Sequence, residues 1–371
     1  MEPYMARELP FEKEINYNRI AKKLISASSS VSKFDGMLEE KNISRDLFLN
    51  PLTKKEAVLS SKIEGTQATL TEILELEADD GKTEIKNKYD DFIEITNYNK
   101  AIEYAENEIK DKNTIKLWMI RNIHKILLNG ARGKDKNPGE FRKDQNWIGK
   151  PGSTIETASF VPVTPEKLID NLENLESYIV NYEEQSSLIQ SAIIHVQFEK
   201  IHPFKDGNGR IGRMLIPLFL FYKKTINRPV LYISEYFEEN RDEYYDKLNS
   251  VTDDEEGWME WIEFFLNAVE EQANRNIEKI KKLQNLYDEY KTKINEIINS
   301  KNSIYVLDAL FKTPIFKSSR LHEEVSKKTN IDNATINRYI KKLVNEGIII
   351  PEEGKDRYVK YYFKELVDLI Q

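Results

Sequence analysis

Apolar side chains recur every three or four positions along most of the chain, a spacing that places them on one face of an α-helix. Strict alternation of apolar and polar residues is confined to a few short pieces. The pattern therefore predicts a mainly α-helical protein with little β-structure. The predicted helices of the central part span residues 91–109, 114–129, 164–182 and 186–201, followed by one long helix or two from 258 to about 299.

Residues 147–163 depart from the helical pattern. Two short β-like pieces, Trp147-Ile148 and Ser159-Phe160-Val161, flank a turn of Gly, Pro and Ser residues. Apolar pieces on either side of such a turn are typical of a β-hairpin.

The segment 300–371 predicts three helices followed by paired strands, the order of a winged-helix domain, in which the third helix reads DNA. It carries thirteen Lys and Arg against ten Asp and Glu, a net charge of +3 that leaves −11 for the rest. A charge this modest leaves DNA contact open and slightly favours protein docking or dimerisation. The predicted helices are 303–311, 318–328 and 332–346, with N-caps Ser318 and Asp332, a helix stop at Gly347 and a strand turn at Gly354.

Two capping boxes follow each other near the N-terminus. Thr53 with Glu56 predicts a helix start, and Thr69 with Glu72 predicts the next one, so the first helix should stop at Gly65. Glu64 then ends a helix, where the negative end of the dipole disfavours an anion by roughly 0.3–1 kcal/mol. A carboxylate there is tolerated most easily when a cation elsewhere pairs with it.

Composition narrows the class of protein. The 371 residues allow two or three domains, and 40% apolar with 32% charged residues is ordinary for a globular chain. The chain has no cysteine and a net charge of −8, which excludes disulfide and thiol chemistry and any overall attraction to nucleic acid. No apolar run has the length of a membrane span and no signal-peptide pattern is present, so we expect a cytoplasmic protein without a membrane partner.

The candidate chemistry lies between two apolar helical stretches, Leu188–Ile201 and Met214–Tyr222. Pro203 ends the first helix, and glycines then open the backbone before the next helix begins. The free amides and positive dipole of that helix start form an anion site. The intervening residues are His202-Pro203-Phe204-Lys205-Asp206-Gly207-Asn208-Gly209-Arg210-Ile211-Gly212-Arg213.

The polar side chains of this stretch suit a polyphosphate. Arg210 and Arg213 are three residues apart on one helix face and can grip phosphates in bidentate fashion. Asp206 can hold Mg²⁺, which prefers one or two carboxylates with phosphate oxygens. His202 can accept a proton near neutral pH. Together these residues predict a nucleotide site that contains its own base.

Other interpretations of the same residues fit less well. Gly207, Gly209 and Gly212 satisfy the G-x-G-x-x-G dinucleotide pattern, but that motif requires a preceding strand and here a helix precedes it. The phosphate loop G-x-x-x-x-G-K-[ST] is absent from the chain. A zinc site built on His195, His202 and Asp206 lacks the usual close ligand spacing, and the chain has no cysteine to complete it. His124 and His195 are predicted to be hydrogen-bonded core residues.

The stretch from His202 to Arg213 resembles, without gaps, the H-P-F-x-[DE]-G-N-G-R-x-x-R signature of Fic-domain proteins, which are mostly protein adenylyltransferases. The resemblance implies an all-helical Fic core with a β-hairpin called the flap, here residues 147–163, which aligns the target polypeptide. It also implies ATP as co-substrate and a Ser, Thr or Tyr hydroxyl as acceptor, on a target protein or on the chain itself. Related death-on-curing kinases usually carry a degenerate glycine segment, so the intact one here favours adenylyl over phosphoryl transfer.

The resemblance also implies roles for individual residues. His202 would be the general base, Asp206 the Mg²⁺ ligand and Phe204 a core anchor. The flap and the tyrosine-rich segment after the signature would contact the nucleoside, with Asn240 as the best polar candidate. The implied ATP-binding residues are Asp206, Gly207, Asn208, Gly209, Arg210, Gly212, Arg213, Asn240, Tyr232, Ser159 and Phe160.

Residues Ser60-Ser61-Lys62-Ile63-Glu64-Gly65 resemble the [ST]-x-x-x-E-[GN] inhibitory motif of Fic proteins. The resemblance implies that Ser60 and Glu64 belong to an inhibitory helix, and that Glu64 pairs with Arg213 and obstructs the γ-phosphate. The expected organisation is an N-terminal helical region (1–110), a Fic domain (111–265), a helical linker (266–300) and a winged-helix domain (301–371).

Two functions of different class follow. The first is an autoinhibited protein adenylyltransferase that uses Mg²⁺ and ATP and releases pyrophosphate. The second is a transcriptional regulator that binds DNA through the winged helix and only senses nucleotide. The intact His202 favours the enzyme, because a sensor needs no base. A homodimer is left open, as are the target protein and the signal that moves Glu64.

Overall fold

The computed structural model describes residues 2–11, 15–40, 44–81, 86–130, 135–150, 152–183, 185–252, 255–355 and 357–371. Over these residues the chain is mainly α-helical, so the predicted fold class is confirmed. The first half contains α1 (Tyr17–Glu40), a π-helical turn (Arg45–Leu49), α2 (Asn50–Ile63), α3 (Leu70–Ala78), α4 (Lys86–Lys112), α5 (Leu117–Leu127), α6 (Pro165–Asn181) and α7 (Ser187–Ile201).

The second half begins with the helix that carries the signature arginines and ends in the winged helix. Its elements are α8 (Asn208–Tyr222), α9 (Ser234–Glu239), α10 (Arg241–Ser250), α11 (Glu255–Ile298), α12 (Ser303–Lys312), β1 (Ile315–Lys317), α13 (Ser318–Ser326), α14 (Asn333–Asn345), β2 (Ile350–Pro351), β3 (Lys360–Tyr362) and α15 (Lys364–Ile370). The predicted long helix after residue 258 is therefore one helix, α11.

The chain divides into two units, each built from three stretches of sequence. The first unit contains Met1–Gly36, Leu59–Thr66 and Ile93–Asn274, and the second contains Met37–Val58, Gln67–Phe92 and Arg275–Gln371. The end of α2 thus belongs to the same unit as the signature. The domain boundaries expected from the sequence stay a prediction.

The core of the first unit is formed by α7 and α8, which pack closely against each other. Every residue of α7 from Leu188 to Phe198 is buried, and so is every residue of α8 from Asn208 to Leu220. A helix that is buried all round cannot shift or rotate freely. The short loop between these two helices is consequently held in place on both sides, and it carries His202.

The two predicted capping boxes have different outcomes. At Thr69 both bonds are present: Glu72 N donates to the Thr69 hydroxyl at 3.2 Å, and Thr69 N donates to the Glu72 carboxylate at 3.0 Å. At Thr53 the prediction is wrong, because α2 begins at Asn50, directly after the π-helical turn. The Thr53 hydroxyl instead donates to the Leu49 carbonyl one turn earlier, as it does inside a helix.

The second unit contains the winged helix. Its three strands form an antiparallel sheet in the order β1-β3-β2, with Phe316 opposite Tyr361 and Ile350 opposite Tyr362. The strand β1 and the helix α15 were not expected from the sequence. Within this unit α3 packs against β1, and Asp79 just beyond α3 pairs with Lys317 at 2.6 Å.

Helix boundaries in the winged helix follow the predicted caps in two cases of three. Asp332 accepts a bond from Thr335 N at 2.7 Å and begins α14, while Gly347 has φ of +69° just after its end. Ser318 is not a cap: it is the first residue of α13, and its hydroxyl bonds the side chain of Asn337. Across the described part of the chain, no helix is both long enough and apolar enough to cross a bilayer.

Candidate active site

The loop from His202 to Gly207 begins in the left-handed region. His202 itself has φ of +50° and ψ of +61°, a conformation that a non-glycine residue keeps only when its surroundings impose it. Phe204 is fully buried and stacks on His124 with ring centroids 3.8 Å apart. Both ring nitrogens of His124 are bonded, one to the Asp206 carbonyl at 3.1 Å and the other to Gly139 N at 2.8 Å. His124 is therefore a bonded core residue, as predicted, and it also supports this loop.

Asn208 fixes the other side of the loop. Its side-chain oxygen accepts from Phe204 N at 2.9 Å, and its amide donates to the Phe204 carbonyl at 2.8 Å. Both functional groups of the Asn208 amide are thus used to close the loop. The predicted contribution of Asn208 to a nucleotide site would come from its backbone N–H at the start of α8.

The start of α8 is open to an anion. Gly207 precedes the helix with φ of +79°, and the first amides of α8 have no partner within the helix. A Cβ atom on Gly209 would overlap with the Glu64 carboxylate. The glycine therefore allows a negatively charged group to lie directly on the first turn, where the helix dipole stabilises it.

The predicted contact between Glu64 and Arg213 is present. Arg213 Nη2 donates to Glu64 Oε1 at 2.7 Å and to the Ser60 carbonyl at 2.8 Å, and Arg213 Nε donates to the Ser60 hydroxyl at 2.9 Å. The Arg213 side chain is 1% exposed, whereas that of Glu64 is 35% exposed. The end of α2 is thus fastened to α8 through a single buried guanidinium.

The charges of this pair stabilise each other. Desolvation would raise the pKa of Glu64, but the Arg213 guanidinium outweighs it and holds that pKa below its ordinary value. Burial opposes protonation of Arg213, and Glu64 more than compensates, so the pKa of Arg213 is raised. Because the pKa of Glu64 is lowered, the contact is present above the ordinary glutamate range and is lost only as pH falls through the lowered pKa. Mild acid is therefore not expected to release Glu64.

Arg210 and Asp206 contact each other. Arg210 Nη2 donates to Asp206 Oδ1 at 3.1 Å, and Arg210 Nη1 lies 3.5 Å from Glu94 Oε2. Arg210 is buried, while the Asp206 side chain is 40% exposed. A guanidinium and a partly exposed carboxylate are therefore adjacent to the anion site.

His202 is held in a form that can accept a proton. Its Nδ1 lies 3.1 Å from the Glu199 carbonyl, which can only accept, so Nδ1 carries the hydrogen and Nε2, which no described residue bonds, keeps its lone pair. Burial lowers the pKa of His202 to about 4, against the opposing effects of Glu64 and Asp206. The imidazole is therefore neutral at neutral pH, the state that a general base requires.

The Glu199 side chain was not anticipated from the sequence. Burial raises its pKa to about 8, so the carboxyl group is mostly protonated at neutral pH. Its Oε1 is buried without a hydrogen-bond partner among the described residues. A Cβ atom on Gly212 would overlap with Glu199 Oε1. The structure therefore gives Gly212 a specific role, which is to leave space for this carboxyl group.

The raised pKa of Glu199 predicts a pH-dependent stability. Between the ordinary glutamate pKa and about 8, the folded state binds more protons than the unfolded state, so stability falls as pH rises. Glu199→Gln mimics the protonated group and removes this dependence. We expect it to be more stable than the parent by about 4 kcal/mol at pH 8.5 and by less than about 1 kcal/mol near pH 5. Urea unfolding at both pH values checks this, and equal stability at pH 8.5 would contradict it.

A cavity of 570 Å³ opens beside these residues, within the range of small-molecule sites. The flap contributes Ser159 and Phe160, two of the predicted nucleoside contacts, and the end of α7 contributes Glu199 and Lys200. The flap closes through a single bridge, in which Ile148 pairs with Phe160; residue 151 of the predicted hairpin lies outside the described residues. The remaining lining residues are Ile148, Gly149, Lys150, Arg241, Asp242, Tyr245, Leu248 and Asn249.

The other two predicted nucleoside contacts do not line the cavity. The Asn240 amide donates to the Tyr236 carbonyl at 2.9 Å between α9 and α10, and Tyr232 is 5% exposed. The wall on that side is formed by α10, through Arg241 and Tyr245. The aromatic and charged residues of 241–249 were visible in the sequence, but nothing there distinguished cavity residues from packing ones. His195 is a core residue, as predicted, with its Nε2 2.9 Å from the Tyr244 hydroxyl.

Sequence comparisons agree with this architecture. The profile of the Fic/DOC family matches residues 114–220, and that of the Fic/DOC family N-terminal region matches 21–107. A winged helix-turn-helix DNA-binding profile matches residues 322–350. The chain belongs to the Fic/DOC family and carries a winged helix at its C-terminal end.

Named relatives support the same family. A probable protein adenylyltransferase of Aquifex aeolicus is 25% identical over 321 residues, which is 83% of this chain and 85% of the relative. The protein adenylyltransferase Fic of Drosophila virilis is 32% identical over 179 residues, 45% of this chain. The chain spans only about a third of that fly protein, 33% of its length.

Solved structures show the same fold. A Fic family protein from Desulfovibrio desulfuricans aligns over 98% of both chains with a TM-score of 0.58 and 17% identity. Fic-1 from C. elegans aligns over 71% of this chain and 73% of its own length, with a TM-score of 0.54 and 20% identity.

Proposed function

We propose that this chain is an autoinhibited protein adenylyltransferase. It transfers AMP from ATP to a Ser, Thr or Tyr hydroxyl of a target protein, or of itself, and releases pyrophosphate. The observation that carries the proposal is the Glu64 carboxylate on the first turn of α8, bonded to Arg213 at 2.7 Å. This carboxylate occupies an anion site that adjoins a neutral imidazole and a nucleotide-sized cavity.

The proposed step follows from the residues that surround this site. The target oxygen attacks the α-phosphorus of ATP, and His202 Nε2 takes the hydroxyl proton. The bond between the α-phosphorus and the bridging oxygen then breaks, and pyrophosphate leaves with the bonding electrons. The amides at the start of α8, with Arg210 and Arg213, stabilise the negative charge on the phosphates.

Asp206 would hold the magnesium ion that accompanies ATP. Its side chain is 40% exposed beside the anion site, which suits an ion that binds one or two carboxylates and otherwise phosphate oxygens and water. A bound ion would neutralise phosphate charge. In the structure Asp206 contacts Arg210, so we expect Arg210 to turn towards phosphate when the nucleotide binds.

Autoinhibition would arise from competition for one site. A carboxylate bonded to Arg213 and lying on Gly209 takes the place of a terminal phosphate of ATP. Ser60 strengthens the block, since it provides two further bonds to Arg213. Release requires a displacement of the end of α2, while Arg213 stays within α8.

We also propose partners for the flap and the winged helix, and a role for each segment of the chain. The flap would align the target backbone by adding a strand, and the winged helix would contact DNA, a protein or a second copy. We assign residues 1–110 to regulation, 111–265 to catalysis, 266–300 to a linker and 301–371 to the winged helix. The regulator alternative gives no role to an imidazole kept neutral, so we place it second.

Radiolabelled ATP tests the proposed function. The Glu64→Gly protein is incubated with cell lysate and either α-labelled or γ-labelled ATP, with Mg²⁺ present. We expect protein labelling from the α-position alone. Labelling from the γ-position would indicate a kinase, and labelling from neither position would contradict a transferase of this kind.

A further inference from the structure

A short segment, residues 142–146, connects the catalytic loop (202–207) with the base of the flap (162–163). Asn146 Nδ2 donates to the Phe204 carbonyl at 3.3 Å, on the loop. Gln145 Nε2 donates to the Pro162 carbonyl at 3.1 Å, in the returning half of the flap. Both contacts end on main-chain oxygens, so they fix backbone positions.

Arg142 makes the same connection with a single side chain. Its Nε donates to the His202 carbonyl at 2.9 Å, and its Nη2 donates to the Ile201 carbonyl at 3.3 Å and to the Val163 carbonyl. Its Nη1 donates to the Asp144 carbonyl at 3.1 Å. One planar guanidinium thus ties the end of α7, the catalytic histidine and the flap together.

The position of this guanidinium is unusual for a residue with only a packing role. Arg142 is 3% exposed, and in the part of the chain that the structure describes its side-chain hydrogen bonds all end on backbone carbonyls, while Glu166 acts on it electrostatically without a hydrogen bond to it. A buried charge that contacts only neutral carbonyls costs more than an apolar side chain of similar size. A rigid fork of donors is, however, suited to holding several carbonyls in fixed directions.

The backbone conformation of His202 is one that surrounding contacts must hold in place. His202 has φ of +50°, and its carbonyl would be free to rotate if the backbone relaxed to a right-handed conformation. The Arg142 backbone adds to the restraint, since its N–H donates to the Pro203 carbonyl at 2.9 Å. Backbone and side chain of Arg142 therefore bond both residues that follow α7.

We infer that Arg142 is a positioning residue for AMP transfer, which fixes the His202 backbone relative to the base of the flap. The inference rests on the proposed function. The base and the backbone of a docked target must keep a fixed separation for proton transfer, and Arg142 joins the two parts that carry them. Arg142 touches no reacting atom, so its effect should fall on turnover and leave ATP binding intact.

The pH–rate profile distinguishes a positioning role of Arg142 from a role in folding alone. The groups that face His202 are Glu64 from α2, Asp206 from the loop, the Glu199 carbonyl from α7 and the cation of Arg142. The Arg142 charge lowers the pKa of His202. A neutral residue in its place should shift the acid limb of the pH–rate profile to higher pH, and loss of folded protein alone would not.

The test uses Arg142→Lys and Arg142→Met in the full chain carrying Glu64→Gly. Arg142→Lys keeps the charge and loses the fork, whereas Arg142→Met loses both. The control is Lys342→Met, because Lys342 Nζ also donates to a backbone carbonyl, that of Ile297 at 2.8 Å, and both residues belong to the unit that does not contain His202. ATP titration of each variant gives the fraction that is folded and competent to bind.

For both Arg142 variants we expect kcat per binding-competent molecule to fall about 10- to 100-fold, with the KM for ATP nearly unchanged. Only Arg142→Met should move the acid limb upward, and Lys342→Met should match its parent. Unchanged kcat per competent molecule, or a loss with no shift of the acid limb in Arg142→Met, would overturn the inference. If Glu64→Gly itself transfers no AMP, the proposed function fails as well.

Discussion

Replacing Glu64 by glycine is expected to raise the rate of AMP transfer about 10- to 100-fold, the range of a typical coupling free energy between two states. The substitution removes the carboxylate from the first turn of α8 and frees Arg213 to bind a phosphate. The rate is measured from incorporation of α-labelled AMP into protein over a range of ATP concentrations that extends well below saturation, with Mg²⁺ present. The gain should come with tighter binding of ATP, since the obstructed group is a terminal phosphate.

The Glu64→Gly substitution could raise the rate by removing the carboxylate or by making α2 more mobile, and a control variant distinguishes the two causes. Lys62, near the end of α2, pairs with Glu238 at 2.9 Å, and this ion pair fastens the same helix without touching Arg213. Glu238→Gln is therefore a matched control and should leave transfer near the parental rate. Equal activation by Glu238→Gln and Glu64→Gly would show that helix mobility matters and that the Glu64–Arg213 pair does not.

Replacing His202 by alanine in the Glu64→Gly protein is expected to reduce AMP transfer about 10²- to 10⁴-fold, the range associated with loss of a general base. Binding of ATP should change little, because the phosphate site is formed by α8. Transfer to a target protein and self-modification should fall together, as both require deprotonation of a hydroxyl. Quenched-flow or endpoint labelling measures the rate of AMP transfer, and calorimetric titration measures the affinity for ATP.

A distant histidine provides the control for this substitution. His322 lies in α13 of the winged helix, where its Nε2 contacts the Ile331 carbonyl at 3.1 Å. His322→Ala should retain the rate of the Glu64→Gly parent. A His202→Ala protein that transfers AMP as fast as this control would remove His202 from the mechanism.

The catalytic loop could be predicted from the sequence because its determinants are local. Proline ends one helix, and glycines at 207 and 209 open the start of the next, so the anion site follows from positions adjacent in the chain. The end of α2 was also predictable, because Gly65 and the capping box at Thr69 mark the boundary from both sides. The Glu64–Arg213 contact depended on the resemblance to a family motif, since nothing local relates residues 149 positions apart.

What the sequence did not reveal are contacts that depend on the folded backbone. Arg142 binds carbonyl groups, and every residue has one, so the sequence carries no pattern for its partners. Glu199 is one glutamate among many until α7 and α8 pack and place its carboxyl group on Gly212. The cavity wall from α10 was likewise hidden, because Tyr245 and its neighbours resemble ordinary core residues in a helical pattern.

In the winged helix, local features were again predictable from the sequence, and features that depend on pairing were not. Its caps at Asp332 and Gly347 follow from side-chain chemistry within one helix turn. The three-residue strand β1 and the helix α15 were missed, since β1 is defined by its pairing with β3 and not by its own residues. The start of α2 was misplaced for a related reason: a π-helical turn precedes it and replaces the expected cap.

A crystal structure of the Glu64→Gly protein with ATP and Mg²⁺ tests the central claim most directly. The account predicts a terminal phosphate on the first turn of α8, bonded to Arg213 where the Glu64 carboxylate lies in the parent, with the α-phosphate within reach of His202. A triphosphate bound elsewhere, with Arg213 not in contact with it, would contradict the account.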